Sequence, residues 1–274
     1  MSHEKLESGI QLGELAEYSD VYDATFLQPI PRAPSRKETF GDAVPFSGVD
    51  IWTCFELSWL NPRGVPQVAV AEFRFDCMSE NIIESKSFKY YLNSFNQTVF
   101  TSIEAVQACL VQDLSAAANG NVAVEITRPD TPFAGAVIPG VCVDQLDCDV
   151  TQYSADASLL SVDDGSAVQN VQLYSHLLKS NCPVTGQPDW ATIWIEYTGK
   201  AIHPEAFLAY VVSYRQHQDF HETCVEKFFA DIMARCKPSK LSVFARYTRR
   251  GGLDINPFRS NCRSDVPFGR LCRQ

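Results

Sequence analysis

Residues 191–247 read ATIWIEYTGKAIHPEAFLAYVVSYRQHQDFHETCVEKFFADIMARCKPSKLSVFARY. The stretch opens on eight residues (191–198) rich in β-branched and aromatic side chains, which read as a strand. Pro204 suits the first turn of a helix, and Phe207, Leu208, Val211 and Tyr214 recur at the spacing of one helical face. A second helix follows from about His221 to Cys236, with Val225, Phe228, Phe229 and Ile232 turned inward. Leu241, Val243, Ala245 and Tyr247 then alternate as a closing strand. Strand, helix, helix, strand is one supersecondary unit that buries a sheet face under a helix pair.

The same order occurs upstream. Residues 50–59 and 67–77 read as strands around the turn signal Asn61-Pro62-Arg63-Gly64, with Ala69, Ala71, Phe73 and Phe75 on one face. A helix carries Phe88, Tyr91, Leu92 and Phe95 at i, i+3, i+4, i+7. The next carries Ile103, Val106, Leu110 and Leu114 behind a capping box formed by Thr101 and Glu104. A strand near 121–128 completes the set. The duplication is of architecture, not of sequence. The predicted fold class is therefore α+β, with two tandem modules of antiparallel strands and a helix pair on one face. Residues 1–48, punctuated by Pro29, Pro31, Pro34 and Pro45, read as an extended arm. Residues 49–150 form the first module, 151–170 a Ser- and Asp-rich linker, and 171–274 the second module.

The 274 residues carry a net charge of −10, with 45% hydrophobic and 20% charged side chains. That balance builds a sizeable core and argues against intrinsic disorder and against a basic nucleic-acid footprint. No apolar run reaches the length of a membrane span, and Glu4 and Glu7 interrupt any signal-like start, which points to the cytoplasm. Ten cysteines without a C-x-x-C pair suggest buried thiols, such as Cys54, Cys109 and Cys236, rather than disulfides or a zinc ribbon.

Four segments carry possible chemistry. In NCPVTGQPDW (181–190), two prolines and a glycine hold Cys182 in a loop before a strand, where a thiolate can act as a nucleophile. Asp189 stands near enough in sequence for the loop to fold it back beside the sulfur as a proton donor or acceptor. A structural cysteine and a turn aspartate are the plainer alternative. In Phe220-His221-Glu222, His221 is a potential acid–base group and Glu222 a favoured first-turn carboxylate; Val225 stands where a zincin needs its second histidine. ESKSFK (84–89) alone reads as a helix start with an exposed lysine face. In ARYTRRGGLDINPFRSN (245–261), Arg249, Arg250 and Arg259 cluster around Gly251-Gly252, a basic loop suited to phosphate oxygens, with a surface arginine cluster or an RNA contact as the alternative. No dinucleotide fingerprint, P-loop or serine elbow is present.

Together, ESKSFKYYLNSFNQT from Glu84, SNCPVTGQPDW from Ser180, FHE from Phe220 and RYTRRGGLDINP from Arg246 closely resemble the NADPH-dependent 7-cyano-7-deazaguanine reductases of queuosine biosynthesis. The likeness spans nearly the whole chain and matches the long form, in which two tunnelling-fold (T-fold) modules are fused. The resemblance implies reduction of a nitrile. Cys182 would add to the nitrile carbon to give a covalent thioimide, two hydrides from NADPH would follow, and Asp189 and His221 would move protons. It implies substrate contacts from Ile82, Ile83, Glu84, His221 and Glu222, and cofactor contacts from Glu84, Ser85, Arg250 and Gly251. It implies no metal, the Cys and His residues showing no ligand spacing, and a homodimer with no direct nucleic-acid or membrane partner. Two other readings stand beside it: a T-fold hydrolase of a purine-like substrate that consumes no NADPH, and a non-catalytic T-fold binding subunit.

Overall fold

The computed structural model describes residues 19–274. Along the chain run β1 (Pro29–Pro31), α1 (Ala33–Phe40), β2 (Ser47–Leu60), β3 (Pro66–Asp76), β4 (Asn81–Ile83), α2 (Ser85–Asn93), α3 (Ile103–Ala118) and β5 (Val122–Thr127). Then follow β6 (Val141–Cys142), β7 (Gln169–Asn181), β8 (Pro188–Gly199), α4 (Pro204–Ser213), α5 (His221–Cys236), β9 (Lys240–Tyr247) and β10 (Leu253–Ser260). Eight strands form one sheet in the order β5-β3-β2-β10-β9-β8-β7-β6, antiparallel except for the parallel pair β6–β7. The fold is α+β, and both helix pairs lie over one face of the sheet.

Period-two alternation decides which side chains meet the helices. In β2, Trp52 and Cys54 turn toward α2 and α3, beside Phe73, Phe75, Phe88 and Leu110, while Ile51 turns to the opposite face. In the second half, Ile193 and Ile195 of β8 and Val243 and Ala245 of β9 meet Phe207, Val211, Phe228 and Ile232. Trp194, Phe244 and Phe258 point the other way and are covered by Phe268 and Leu271 of the C-terminal tail, with Trp194 Nε1 donating to the Pro139 carbonyl at 2.9 Å.

The two halves repeat one another in detail. The β2–β3 hairpin slips register between Cys54 and Leu57, and the β7–β8 hairpin between Ser175 and Leu178. The second helices, α3 and α5, each have 16 residues and each end on a left-handed non-glycine residue, Asn119 (φ 45°) and Lys237 (φ 48°). Each first helix donates a tyrosine hydroxyl to an aspartate of its partner: Tyr91 to Asp113 at 2.6 Å and Tyr210 to Asp231 at 2.6 Å.

Several expectations change. Within the stretch expected to be an extended arm, residues 1–18 lie outside the described residues, but 33–40 form α1 and Leu27, Arg32 and Phe46 are buried. The expected linker, 151–170, holds a short 3-10 turn, Ala157–Leu159, whose neighbour Leu160 sits in the second core, and its last two residues already belong to β7. Ser102, not Thr101, caps α3, accepting from the Ala105 N–H at 3.3 Å.

The largest change concerns the expected basic loop. Its second half is β10, a strand that runs beside β2 along eight residues and beside β9 at Phe258–Ser260. Pro257, which lacks a donor, falls just before the pairing with β9 begins. Arg259 on this strand is fully buried and does not face a ligand. Its Nη1 meets Asp50 Oδ1 at 2.7 Å and its Nη2 meets Glu226 Oε1 at 2.9 Å. Arg32 holds the other oxygen of Asp50 at 2.7 Å, and Arg36 of α1 holds Glu226 at 2.7 Å. Burial would raise the Asp50 carboxyl, but Arg259 and Arg32 outweigh it and hold the group below its usual range. This network ties the N-terminal segment, β2, β10 and α5 together where the halves join.

Candidate active site

One cleft receives residues from both halves: Ile83, Glu84, Ser85 and Lys89 from the first, and Cys182, Asp189, His221, Glu222 and Arg250 from the second. The continuous sheet brings them together, because β10 sets β2 and β9 at a fixed separation.

Cys182 is the first residue after β7. Its N–H donates to the Gln187 carbonyl at 2.8 Å, and the Gly186 N–H donates back to the Cys182 carbonyl at 2.9 Å, closing the loop. The side chain is more enclosed than a loop position suggests, with 8% exposure. Burial pushes the thiol up, but hydrogen bonds from the Thr185 side chain and N–H, from Arg250 and from the Val184 N–H prevail and hold it below its ordinary value. These donors stabilise a thiolate, which is the reactive form.

Asp189 enters on β8 opposite Ser180 and is buried. Its Oδ2 lies 3.4 Å from His221 Nε2 and its Oδ1 3.4 Å from Arg250 Nη2. His221, the first residue of α5, lies flat on Tyr247 with ring centroids 3.6 Å apart and planes 4° from parallel. Its Nδ1 is 3.3 Å from the Ile255 carbonyl. A carbonyl only accepts, so the partners assign the proton on Nδ1. Nε2 faces the Asp189 carboxyl, so the two groups are placed to pass a proton between them in the cleft.

Glu222, the next residue of α5, is buried. Loss of water and the negative charge of Asp50 push its carboxyl up to about 7, against the pull of Arg32 and His221. Phe220 provides no side-chain cap for α5, and the Glu222 carboxyl turns to its own backbone N–H. Glu84 caps α2: Oε1 accepts from the Lys86 N–H at 2.9 Å and Oε2 from the Ser87 N–H at 2.7 Å. Its carboxylate is thus fixed in orientation, with lone pairs remaining for a ligand. Ile83 and Ser85 line the cleft. Ile82 does not; strand alternation in β4 turns it toward a neighbouring hollow with Pro31 and Phe220.

Arg250, Gly251, Gly252 and Leu253 close the β9–β10 hairpin, with the Arg250 N–H donating to the Leu253 carbonyl at 2.9 Å. Both glycines have positive φ, 58° and 70°, as a type I′ turn demands. Of the three arginines expected here only Arg250 faces the cleft, where it also donates to Gln187 Oε1 at 2.6 Å. Arg249 instead lies over the Phe55 ring, 3.8 Å from its centroid, and bonds the Gln274 carbonyl. Lys89 had no role in the sequence reading beyond an exposed face. It is half-buried beside Gly251, and burial and Arg250 lower its ammonium pKa. Its spacing of four from Ser85, one helical turn, was the available signal.

Two family models match the chain: nitrile reductase, 7-cyano-7-deazaguanine-reductase N-term, over residues 18–126, and QueF-like protein over 188–266. The chain is 56% identical to the NADPH-dependent 7-cyano-7-deazaguanine reductase of Saccharophagus degradans, over 97% of this chain and 100% of that one. It is 55% identical to the enzyme of the same description from Teredinibacter turnerae, over 90% of each. It is 53% identical to that of Chromobacterium violaceum, over 92% of this chain and 91% of the relative. With both family models matched and such identity over nearly its full length, the chain belongs to the NADPH-dependent 7-cyano-7-deazaguanine reductase family.

Proposed function

We propose that the chain reduces the nitrile of 7-cyano-7-deazaguanine to the 7-aminomethyl base at the expense of NADPH, through a thioimide on Cys182. The observation that carries this reading is the convergence of a stabilised thiolate, a facing Asp189–His221 pair and a buried carboxylate in one cleft. The Cys182 sulfur bonds to the nitrile carbon, one C–N π bond opens, and Asp189 delivers a proton to the nitrogen. NADPH, when bound, supplies the two hydrides that take the thioimide to the amine. His221 restores the proton on Asp189, and the sulfur leaves as the thiolate that its hydrogen-bond donors favour. Glu222 and Glu84 accept from the adjacent N–H donors of the deazapurine edge, with Ile83 beside the ring and Ile82 supporting it from behind.

The cationic side of the cleft fits the phosphates of NADPH. Lys89 makes no ion pair within 4 Å among the described residues, and its charge is disfavoured by burial and by Arg250. An anion there relieves both. Arg250 and Gly251 hold the cofactor from one half, with Glu84 and Ser85 from the other. The same reading divides the chain into modules 49–150 and 171–274, although β6 pairs with β7 and Val143 and Leu146 pack with the second half. In the same reading the chain acts as a cytoplasmic homodimer, and its product passes to queuosine modification of tRNA. The acidic chain, at net charge −10, does not itself bind nucleic acid. No described helix is long and apolar enough to cross a membrane.

The test mixes protein, NADPH and 7-cyano-7-deazaguanine and follows cofactor absorbance and product mass. Two NADPH oxidised per nitrile lost, with an aminomethyl product, is the expected result. A carboxylic acid formed without oxidation would indicate a hydrolase, and binding without turnover a non-catalytic module. Intact mass of the protein with substrate alone should show an adduct that Cys182→Ala abolishes; an adduct surviving that change removes Cys182 from its role.

A further inference from the structure

Away from the cleft, at the β6–β7 edge of the sheet, a second group of side chains converges. Cys142 lies on β6, Asp144 just beyond it, and His176 on β7 inside the register slip between Ser175 and Leu178. One donor atom from each of the three lies within 4.8 Å of the others. We propose that Cys142, Asp144 and His176 bind a divalent ion of the zinc class, with water in the fourth position.

Three features support the assignment. First, the ligands suit the ion. Thiolate and imidazole select zinc or cobalt over magnesium or calcium. Tetrahedral ligands about 2.0–2.3 Å from zinc stand roughly 3.3–3.8 Å apart, so each side chain needs to move by only about an ångström. Binding releases the Cys142 proton to solvent, and a dication with one thiolate, one carboxylate and a neutral imidazole has no net charge.

Second, the ligands are already oriented. His176 Nδ1 is 2.8 Å from the hydroxyl of the buried Thr192, leaving Nε2 for the ion. Tyr174 meets the His176 ring edge-on with centroids 5.4 Å apart. Asp144 is held by the Ser175 hydroxyl at 2.6 Å and by the His176 N–H at 3.0 Å. Such outer partners fix ring and carboxylate where a metal needs them.

Third, the site has something to fasten. Between β5 and β7 the chain runs from residue 128 to 168 with only the two-residue β6 and one short 3-10 turn. Long irregular segments of this kind ordinarily need an anchor. A metal bridging Cys142 and Asp144 to His176 pins the segment to the strand that leads to Cys182. Ligand spacing in the sequence does not show this, because His176 arrives from another strand.

The experiment uses the full-length Cys182→Ala protein, which removes the thiolate of the cleft, and titrates it with cobalt(II). The expected result is roughly one equivalent bound, with a thiolate-to-cobalt charge-transfer band and tetrahedral visible bands. Adding Cys142→Ser should abolish the charge-transfer band, and adding His176→Gln should weaken binding at least about 10-fold. Zinc should raise the melting temperature of the parent but of neither variant. If Cys142→Ser fails to fold, the His176→Gln titration decides alone. Absence of the band in the parent, its persistence after Cys142→Ser, or unchanged affinity after His176→Gln overturns the proposal.

Discussion

The two halves place different chemistry on the same frame. Counting from the register slip, Asn61 of the first half occupies the place of Cys182 in the second. Asn61 does turn work only: its Oδ1 accepts from the N–H groups of Arg63 and Val65, at 2.9 and 3.0 Å. Cys182 begins a longer loop whose donors converge on its sulfur. The second helices differ in the same way. Ser102 caps α3, whereas α5 starts on Phe220 without a cap and presents His221 and Glu222. One half caps its helix with a side chain and its loop with Asn61, while the other turns its loop donors onto a sulfur and opens its helix on His221 and Glu222. The same frame thus carries plain turn chemistry in one copy and ionisable groups in the other.

Exchanging the equivalent positions tests this contrast most severely. Cys182→Ala should lower turnover by about 10³-fold or more, while Asn61→Ala should cost about 1 kcal/mol of stability and leave turnover unchanged. Steady-state NADPH oxidation and urea denaturation read the two effects. Equal losses of activity would mean that the halves are not divided as described.

The seam between the halves is the next target. Arg259→Met leaves Asp50 and Glu226 without their shared partner and should cost about 3–5 kcal/mol. A single urea transition moved to lower midpoint is expected. Two separate transitions would show that the halves fold independently of the seam.

Glu222 offers a smaller effect, dependent on pH. Its carboxyl is raised to about 7 in the folded chain, above its unfolded value. The folded state therefore binds more protons between those values, and the resulting stability, about 3 kcal/mol, is present in acid and lost as pH rises through 7. Glu222→Gln should flatten that slope. Because the deazapurine edge needs the charged form, substrate should bind about tenfold more tightly per pH unit as the pH approaches 7 from below. Calorimetry at pH 6 and 8 checks this, and binding independent of pH would remove Glu222 from the substrate.

The smallest effect separates the paired tyrosines. Tyr91→Phe leaves Asp113 with Tyr22 at 2.7 Å and should cost about 1 kcal/mol. Tyr210→Phe deprives both Asp231 and the buried Tyr214 hydroxyl and should cost about 2 kcal/mol. Thermal melts of both variants compare them.

The sequence carried much of this frame because burial leaves a periodic record. The inward set on α5 and the alternation on β3 could be read directly, and α5 spans the expected residues. β10 could not: two glycines and Asn256-Pro257 look like a loop, and the strand exists only because β2 and β9 flank it. Arg259 was misplaced for the same reason, since nothing local reveals that Asp50 and Glu226 await it. At the site, Cys182 and His221 stood out through loop and helix-start context. The place of Lys89 in the cleft, and the outward turn of Ile82, depend on packing between halves that no local pattern encodes.

The position of β10 also has a consequence for synthesis. The strand that covers the inner edge of β2 is made roughly 200 residues after it. While the chain is emerging from the ribosome, the first half can collapse around Trp52, Phe73 and Phe88, but β2 keeps an open row of backbone donors and acceptors. Such an edge invites pairing with a neighbouring nascent chain. Asp50 on that edge, met by Arg32 on one oxygen, lacks Arg259 on the other until β10 is made, and an inward charge only half paired is a deterrent to wrong pairing. The buried aspartate thus guards the edge first and holds the closing strand afterwards.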